Sequence, residues 1–179
     1  IEYADDRLAQ LEQKLRAQES AARDAAKALS EKRRAAAKEL ETRISRELSE
    51  LDMPKLRFSI DFQEKDLAED GADAVAFLMS ANVGEALRPI QKIASGGELS
   101  RIMLAINTVL SEDSGAAETQ IFDEIDTGIS GEAANKVGIK LRCVSKNAQV
   151  ICVTHLAQIA AMADNHLFIV KKQENNKTY

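Results

Sequence analysis

The chain has 179 residues, enough for one ordinary domain and an appendage, and its formal net charge of −5 gives it no overall basic signature of a nucleic-acid binder. Its two cysteines form neither a CxxC pair nor a disulfide framework, which favours a reducing compartment. There is no apolar run of 18 residues and the first residues are charged, so the sequence predicts a cytoplasmic protein without a membrane span or signal peptide.

Residues 1–51 are predicted to form one long helix, about 75 Å in length. They contain no Gly or Pro and are rich in good helix formers. Apolar residues recur every seven positions from Leu8 to Ala36 and then slip into a second register from Leu40 to Leu51, as in a coiled coil with a stutter. We expect this arm to be one helix of a two-helix coiled-coil hairpin; a lone solvated helix is the alternative. Acidic and basic residues balance, so the arm is not predicted to bind DNA.

Pro54 ends the helix, and we expect the chain to divide there into an arm, 1–51, and a domain, 52–179. The domain is predicted to begin with two strands, 56–62 and 74–80, that pair as a hairpin. There follow a helix from about 95 to 111, a strand at 120–124, a helix at 131–144, a strand at 148–155, a short helix at 156–164 and a strand at 166–172. This alternation predicts a parallel α/β sheet. The tail, 173–179, is predicted to be an interrupted β-hairpin, and we expect the chain to be cut short there.

The segment ASGGELSR, residues 94–101, is the first candidate site. Ser95 and Glu98 form the pattern of a capping box at a helix start. Gly96 and Gly97 weaken the first turn, a cost that is accepted where something must approach the backbone closely. Helix N-termini bind phosphate through free N–H groups and the positive end of the helix dipole. The motif alone leaves open a well-capped helix and a phosphate site in which Ser95 Oγ and the Gly97 N–H are donors.

The segment QIFDEIDTGISG, residues 120–131, carries two adjacent carboxylates at the end of an apolar strand. Ligands of open α/β sheets bind at the carboxyl ends of strands, where Asp123 is suited to hold Mg²⁺, directly or through water. Glu124 is suited to orient or deprotonate an attacking water. The alternative is a strand that runs into an acidic turn. Two neighbouring carboxylates repel each other, however, and are easier to explain beside a cation.

The segment VICVTHL, residues 150–156, predicts a buried strand that ends at Thr154 and His155. A histidine there could donate a hydrogen bond to a phosphate oxygen, although a purely structural histidine is the alternative. A zinc site with Cys152 is not predicted, because no further cluster of Cys or His supplies the remaining ligands.

The order and spacing of the three segments resemble the signature motif, Walker B motif, D-loop and switch histidine of the ABC ATPase family, over residues 74–172. The coiled-coil arm is similar to that of the SMC-like branch, and the motif wording resembles the bacterial DNA-repair members of that branch. The resemblance implies an α/β fold: the C-terminal half of an ABC/SMC-type ATPase head, with a P-loop NTPase-like parallel sheet, preceded by a long coiled-coil helix.

The resemblance also implies roles for individual residues. The γ-phosphate of ATP held by a second head would be contacted by Ser95, Gly96, Gly97 and Glu98. Asp123 would hold Mg²⁺, and Glu124 and His155 would be catalytic. The D-loop would run from Asp126 to Ser130 across the dimer interface. Three residue choices depart from the wider family: Ala94 and Glu98 replace the Leu and Gln of many transporters, and Thr127–Ser130 replaces an aspartate-containing stretch.

The chain contains no G-x-x-x-x-G-K-[ST] phosphate loop. The resemblance implies that this Walker A loop lies in the N-terminal half of the head. The expected partners are therefore that half, a second head in an ATP-dependent homodimer, and DNA during double-strand-break repair at a bacterial nucleoid. The chain alone is expected to be inactive. Two other readings compete: a non-catalytic coiled-coil scaffold, and the head of another SMC-like or ABC ATPase.

Overall fold

The structure, a computed structural model, describes residues 2–80, 82, 84–92, 95–113, 119–170, 173–174 and 177–178. Its contacts divide the chain into two compact units. The first comprises Ile1–Ser49 with Pro54–Ile93, and the second comprises Glu50–Met53 with Ala94–Tyr179. The predicted division into an arm, 1–51, and a domain, 52–179, stays a prediction.

The predicted long helix is present as α1, Glu2–Glu50. In its first half the leucines of the seven-residue repeat lie in solvent, since Leu8, Leu11 and Leu15 are each more than half exposed. Among the helix residues whose burial is described, from Asp6 onward, the first buried one is Ala26, followed among apolar residues by Ala37, Ile44 and Leu48. The exposed stripe is the surface that a partner helix covers in a coiled coil.

The predicted hairpin is formed by β1, Arg57–Ala68, and β2, Gly71–Ser80. The strands pair antiparallel, and Phe58 lies opposite Met79. Both strands extend further toward the turn than the alternating apolar pattern predicted. A two-residue strand, β3 (Arg88–Pro89), adds to β2, and a 3-10 turn at Ile90–Lys92 follows.

Helix α1 binds this hairpin through Asp73, whose side chain is 6% exposed. Ser30 Oγ donates a hydrogen bond to Asp73 Oδ1 at 2.8 Å. The guanidinium groups of Arg33 and Arg34 lie 3.5 and 3.8 Å from the same carboxylate. A carboxylate on the sheet is thus neutralised by one turn of the helix, which fixes their relative register.

A second contact joins α1 to the outer edge of β1. Glu41 Oε1 accepts hydrogen bonds from Ser59 Oγ at 2.9 Å and from the Ile60 N–H at 2.6 Å. The guanidinium of Arg34 lies 4.8 Å from the centre of the Phe62 ring, within cation–π range. The hydrogen bond to Glu41 satisfies a backbone donor on an edge strand that would otherwise be open to another chain.

The second unit contains the predicted alternation of helices and strands. Its elements are α2 (Gly96–Asp113), β4 (Thr119–Phe122), α3 (Gly131–Val144), β5 (Gln149–Cys152), α4 (Ala157–Ala160), β6 (Gln173–Glu174) and β7 (Lys177–Thr178). Strands β4 and β5 pair in parallel, with Phe122 opposite Cys152, and α3 connects them. Strands β6 and β7 form the predicted terminal hairpin. The β4–α3–β5 unit brings the carboxyl ends of two parallel strands to one edge.

One predicted strand is wrong. Residues 166–170 form no strand, and Leu167, Phe168 and Ile169 are 86–91% exposed. A strand needs a neighbour with which to pair, and the described part of this unit has only β4 and β5 in its parallel sheet. Residues 171–172 lie outside the described residues. The short helix predicted at 156–164 is present only as α4.

We expect Asp73→Asn to lower the free energy of unfolding by roughly 1–3 kcal/mol, because it removes the negative charge that two guanidinium groups share. Urea denaturation followed by circular dichroism measures the change. The matched control is Asp70→Asn, which removes the exposed pair with Lys65 at 2.7 Å and should shift the midpoint little. Equal losses in the two variants would contradict the importance assigned to Asp73.

Candidate functional site

The start of α2 is a capping box, as the sequence predicts. The Ser95 N–H and Oγ both donate to Glu98 Oε2, at 3.0 and 3.1 Å, and the Glu98 N–H points back to Ser95 Oγ at 3.4 Å. The Leu99 N–H donates to the Ser95 carbonyl oxygen at 2.8 Å. Ser95 and Gly96 remain exposed, whereas Gly97 is buried. The cap therefore orders a helix terminus that stays open to solvent.

The adjacent carboxylates follow β4 directly, and both Asp123 and Glu124 are exposed. Asp123 Oδ1 accepts the Glu124 N–H at 2.8 Å. Glu124 has a φ of 56°, in the left-handed region, which costs a non-glycine residue about 1–2 kcal/mol. The Thr127 N–H donates to the Glu124 carbonyl oxygen at 3.0 Å and closes the turn. Strain of this kind is concentrated at functional sites, which supports a role for Glu124 beyond packing.

Gly96 and Gly97 pack against this acidic turn, residues 123–127. A methyl group on Gly96 would collide with the Glu124 carboxylate. One on Gly97 would lie 2.8 Å from Thr127 Cβ and 2.9 Å from the carbonyl oxygens of Glu124 and Thr127. The sequence indicated that these glycines permit a close approach. In the structure the group that approaches is the chain's own acidic turn, and the contact with phosphate stays a prediction.

Two further side chains of α2 bind the acidic turn. Ser100 Oγ donates to the Asp123 carbonyl oxygen at 2.6 Å. Arg101 Nη1 donates to the carbonyl oxygens of Ile125 and Thr127, at 3.2 and 2.9 Å. Helix and turn are therefore joined by hydrogen bonds as well as by the close contact of the glycines.

Arg101 is a buried cation, 6% exposed. Burial lowers the pKa of its guanidinium, and the nearby Glu98 carboxylate only partly opposes this; an arginine keeps its charge even so. Sequence reasoning missed Arg101. A signal was present, since Arg101 shares the buried face of α2 with Ala105 and Thr108, where a charge needs a partner.

Asp126 connects the acidic turn to the end of β5. Its carboxylate is 3% exposed, and Oδ2 accepts hydrogen bonds from Thr154 Oγ1 at 2.5 Å and from the His155 N–H at 2.8 Å. His155 Nδ1 lies 3.0 Å from the same oxygen. Burial by itself raises the pKa of Asp126, but these hydrogen bonds and the charge of His155 outweigh it, so the pKa lies below its ordinary value. The resemblance placed Asp126 across a dimer interface; in the structure its carboxylate points inward.

The rest of the predicted D-loop is exposed or half-buried, from Thr127 to Ser130. Gly128 and Gly131 have φ values of 77° and 54°, which glycine adopts without strain. Ser130 precedes α3 in an extended conformation and makes no side-chain capping hydrogen bond. Ala94 lies outside the described residues. The other predicted site residues all lie in the second unit, around the acidic turn.

Asp123 has the chemistry of a Mg²⁺ ligand. No group of three or more His, Cys, Asp or Glu side chains that could hold a metal ion occurs within the described ranges. An exposed single carboxylate still fits Mg²⁺, which usually combines one or two carboxylates with water and phosphate oxygens. Burial raises the pKa of the Cys152 thiol to about 11, with help from Asp126 and Asp123, so this thiol is protonated at neutral pH and is a poor zinc ligand.

Solved structures define the class of fold. An Smc head domain with a coiled coil and joint from Pyrococcus yayanosii is 20% identical, with a TM-score of 0.55, over 74% of this chain and 24% of that chain. An Smc head domain with an extended coiled coil from Pyrococcus furiosus is 21% identical, with a TM-score of 0.51, over 70% of this chain and 30% of that chain. The fold is that of an SMC ATPase head with a long N-terminal helix and a parallel sheet.

Curated sequences identify the family, although no family model matches the chain. The chain is 44% identical over 178 residues to the DNA repair protein RecN of Halalkalibacterium halodurans, and 43% identical over 166 residues to that of Bacillus subtilis. These alignments cover 97% and 84% of the chain. The chain belongs to the RecN family. It spans 31% and 29% of the lengths of these two relatives. In the described residues, no helix is both long and apolar enough to cross a membrane.

We expect Gly97→Ala to lower the free energy of unfolding of the second unit by about 1–3 kcal/mol, since its methyl group would meet two backbone carbonyls that cannot move aside. The control is Gly138→Ala, also within a helix, where the methyl group would meet the flexible Met162 side chain at 3.1 Å. Thermal or urea unfolding of both variants measures the difference. If Gly97→Ala were as stable as Gly138→Ala, the close packing described for Gly97 would be wrong.

Proposed function

We propose that the chain supplies one half of an ATP-hydrolysing head site in a RecN-type protein that repairs DNA double-strand breaks. The observation that carries this proposal is the convergence of three separately predicted segments on the acidic turn. The capped, glycine-containing helix start packs against residues 123–127. The two adjacent carboxylates belong to these residues, and the backbone N–H of the histidine donates to Asp126 among them. The family name, DNA repair protein RecN, and the SMC head fold support the same function.

Within this site Glu124 orients and deprotonates the attacking water, and His155 contacts the γ-phosphate. Both are exposed, as groups that meet a nucleotide must be. Asp123 would hold Mg²⁺, directly or through water, and such an ion would supply positive charge beside the phosphates. A left-handed backbone at Glu124 directs its carboxylate away from the extended path of β4 and toward the helix start.

The helix start serves a nucleotide held by a second head. Ser95, Gly96, Gly97 and Glu98 form a capped N-terminus, which is a suitable anion site because its N–H groups and the helix dipole both favour negative charge. Residues 127–130, exposed or half-buried beyond the inward-pointing Asp126, lie across the interface as the D-loop. Two heads thereby enclose ATP between them as a homodimer.

The remaining phosphate contacts come from a Walker A segment that the 179 residues do not contain. Strands β4 and β5 offer a surface for it: Ile121, Ile151 and Val153 are 69%, 45% and 53% exposed. Parallel sheets are normally covered on both faces, so this face is where the N-terminal half of the head packs. DNA binds to the assembled protein at the bacterial nucleoid, a role supported by the name of the relatives, DNA repair protein RecN. This chain has a net charge of −5, so the DNA contacts lie elsewhere in the assembly or in a local patch.

We expect Glu124→Gln, in a RecN-type protein that also carries the Walker A segment, to bind ATP but to hydrolyse it at least about 100-fold more slowly than the wild type. The amide keeps the shape of the side chain and cannot act as a base. Phosphate release and gel filtration with ATP measure turnover and head engagement, and the variant should show more dimer than the wild type. Glu132→Gln, an exposed carboxylate on α3 with a side-chain exposure of 84%, is the control. Unchanged hydrolysis in Glu124→Gln would exclude Glu124 as the base; the chain without Walker A should show no activity.

We expect Ser95→Arg to abolish ATP-dependent dimerisation while a single head still binds ATP, because the arginine fills the space that the γ-phosphate of the opposite head needs. The substitution also removes the helix cap, which by itself costs about 0.5–2 kcal/mol. Ser95→Asn separates the two effects, since asparagine caps helices as well as serine does. Should Ser95→Arg weaken ATP binding to a monomeric head as much as dimerisation, the assignment of Ser95 to the opposite nucleotide fails.

A further inference from the structure

Asp126 is a buried carboxylate whose partners are all at the end of β5. One of its oxygens, Oδ2, accepts from Thr154 Oγ1 and from the His155 N–H, and it lies 3.0 Å from His155 Nδ1. The Thr154 hydroxyl oxygen in turn accepts the Leu156 N–H at 3.1 Å. The carboxylate therefore holds the backbone of His155 by a hydrogen bond and lies within ion-pair distance of its ring.

The position of Asp126 is itself fixed from both sides. The carbonyl oxygens of its neighbours Ile125 and Thr127 accept hydrogen bonds from the buried Arg101. The Ile129 N–H donates to the Asp126 carbonyl oxygen at 3.4 Å. A carboxylate whose neighbouring backbone is held by hydrogen bonds can orient a partner that is otherwise in solvent, and the His155 side chain is 74% exposed.

The contact at Nδ1 determines where the imidazole carries its proton. A carboxylate has no proton to share, and a ring nitrogen 3.0 Å from it is less repelled when it is protonated, so the geometry favours Nδ1–H. In the neutral ring Nε2 is then the unprotonated nitrogen. Nε2 can donate to a phosphate oxygen only when the ring is an imidazolium, for which Asp126 is the counter-ion.

We propose that Asp126 is a positioning residue for His155: it keeps the proton on Nδ1 and directs Nε2 toward the nucleotide, to which Nε2 donates when the ring is an imidazolium with Asp126 as its counter-ion. This inference rests on the proposed function for the role of His155 in ATP hydrolysis. The contact between Asp126 and His155 does not depend on that function. The arrangement follows the logic by which carboxylates orient histidines in hydrolases and metal sites.

The tautomer can be observed directly in the chain, which has two histidines. Histidine labelled with ¹⁵N and a long-range ¹H–¹⁵N correlation, recorded at a pH where both rings are neutral, distinguish Nδ1–H from Nε2–H. We expect a single Nδ1–H tautomer for His155 and a mixture for the highly exposed His166, the internal reference. Wild-type His155 with a mixed or Nε2–H signal would overturn the proposal, whatever the variants do.

Variants assign the effect to the carboxylate. Asp126→Asn should convert His155 to a mixture or to Nε2–H, because an amide can present its NH₂ group to Nδ1. Thr154→Val removes a neighbouring hydrogen bond to Asp126 but leaves the ring contact, so the Nδ1–H tautomer should persist. A tautomer that survives Asp126→Asn would show that another group selects it.

Activity gives an independent reading in the RecN-type protein that carries Walker A. We expect Asp126→Asn to lower kcat about 10- to 100-fold with a smaller change in KM, as for other residues that orient a catalytic histidine. His155→Gln should lower kcat at least as much. Full activity in His155→Gln would count against the proposed function and leave the NMR result intact, whereas full activity in Asp126→Asn beside an inactive His155→Gln would overturn the positioning role.

Discussion

The contact between the first turn of α2 and the acidic turn, residues 123–127, is the constraint on which the candidate site depends. It combines close packing of two glycines with hydrogen bonds from Ser100 and Arg101 to backbone carbonyls. The carbonyls of a tight turn at the end of a strand need donors, and a guanidinium can serve two of them at once. Without this contact the capped helix start and the two carboxylates would be separate features of the chain.

The acidic turn also links the carboxyl ends of the two parallel strands, β4 and β5. The Val153 N–H donates to the Phe122 carbonyl oxygen at 2.9 Å, which extends the pairing of β4 and β5 by one bond. Strand β4 ends at Phe122 and β5 at Cys152, and the next connection is made by the Asp126 side chain, which accepts hydrogen bonds from Thr154 and His155. A buried carboxylate is an expensive way to make this connection unless it is paired, and Oδ2 accepts two hydrogen bonds and lies 3.0 Å from His155 Nδ1.

The sequence predicted those parts of the fold that arise from local patterns. Helices α1, α2 and α3 follow from composition, the capping box and the position of Gly131, and the β1–β2 hairpin follows from alternation. The strand predicted at 166–172 failed because an apolar run records only a tendency to be covered, and the described residues include no strand beside it. For the same reason, the sequence predicted which residues belong to the candidate site but not the contacts among them. Which group approaches Gly97, and where the Asp126 carboxylate points, depend on contacts between residues about thirty positions apart.

The absence of space between Gly97 and Thr127 has a thermodynamic consequence. Because not even a methyl group fits there, the helix start and the acidic turn cannot be displaced independently at low cost. A ligand that prefers one placement of the helix start therefore shifts the turn with it, and the coupling free energy is the same in the reverse direction. Under the proposed roles, binding of the neighbouring head's nucleotide at the helix start and the placement of the catalytic Glu124 carboxylate are therefore thermodynamically coupled.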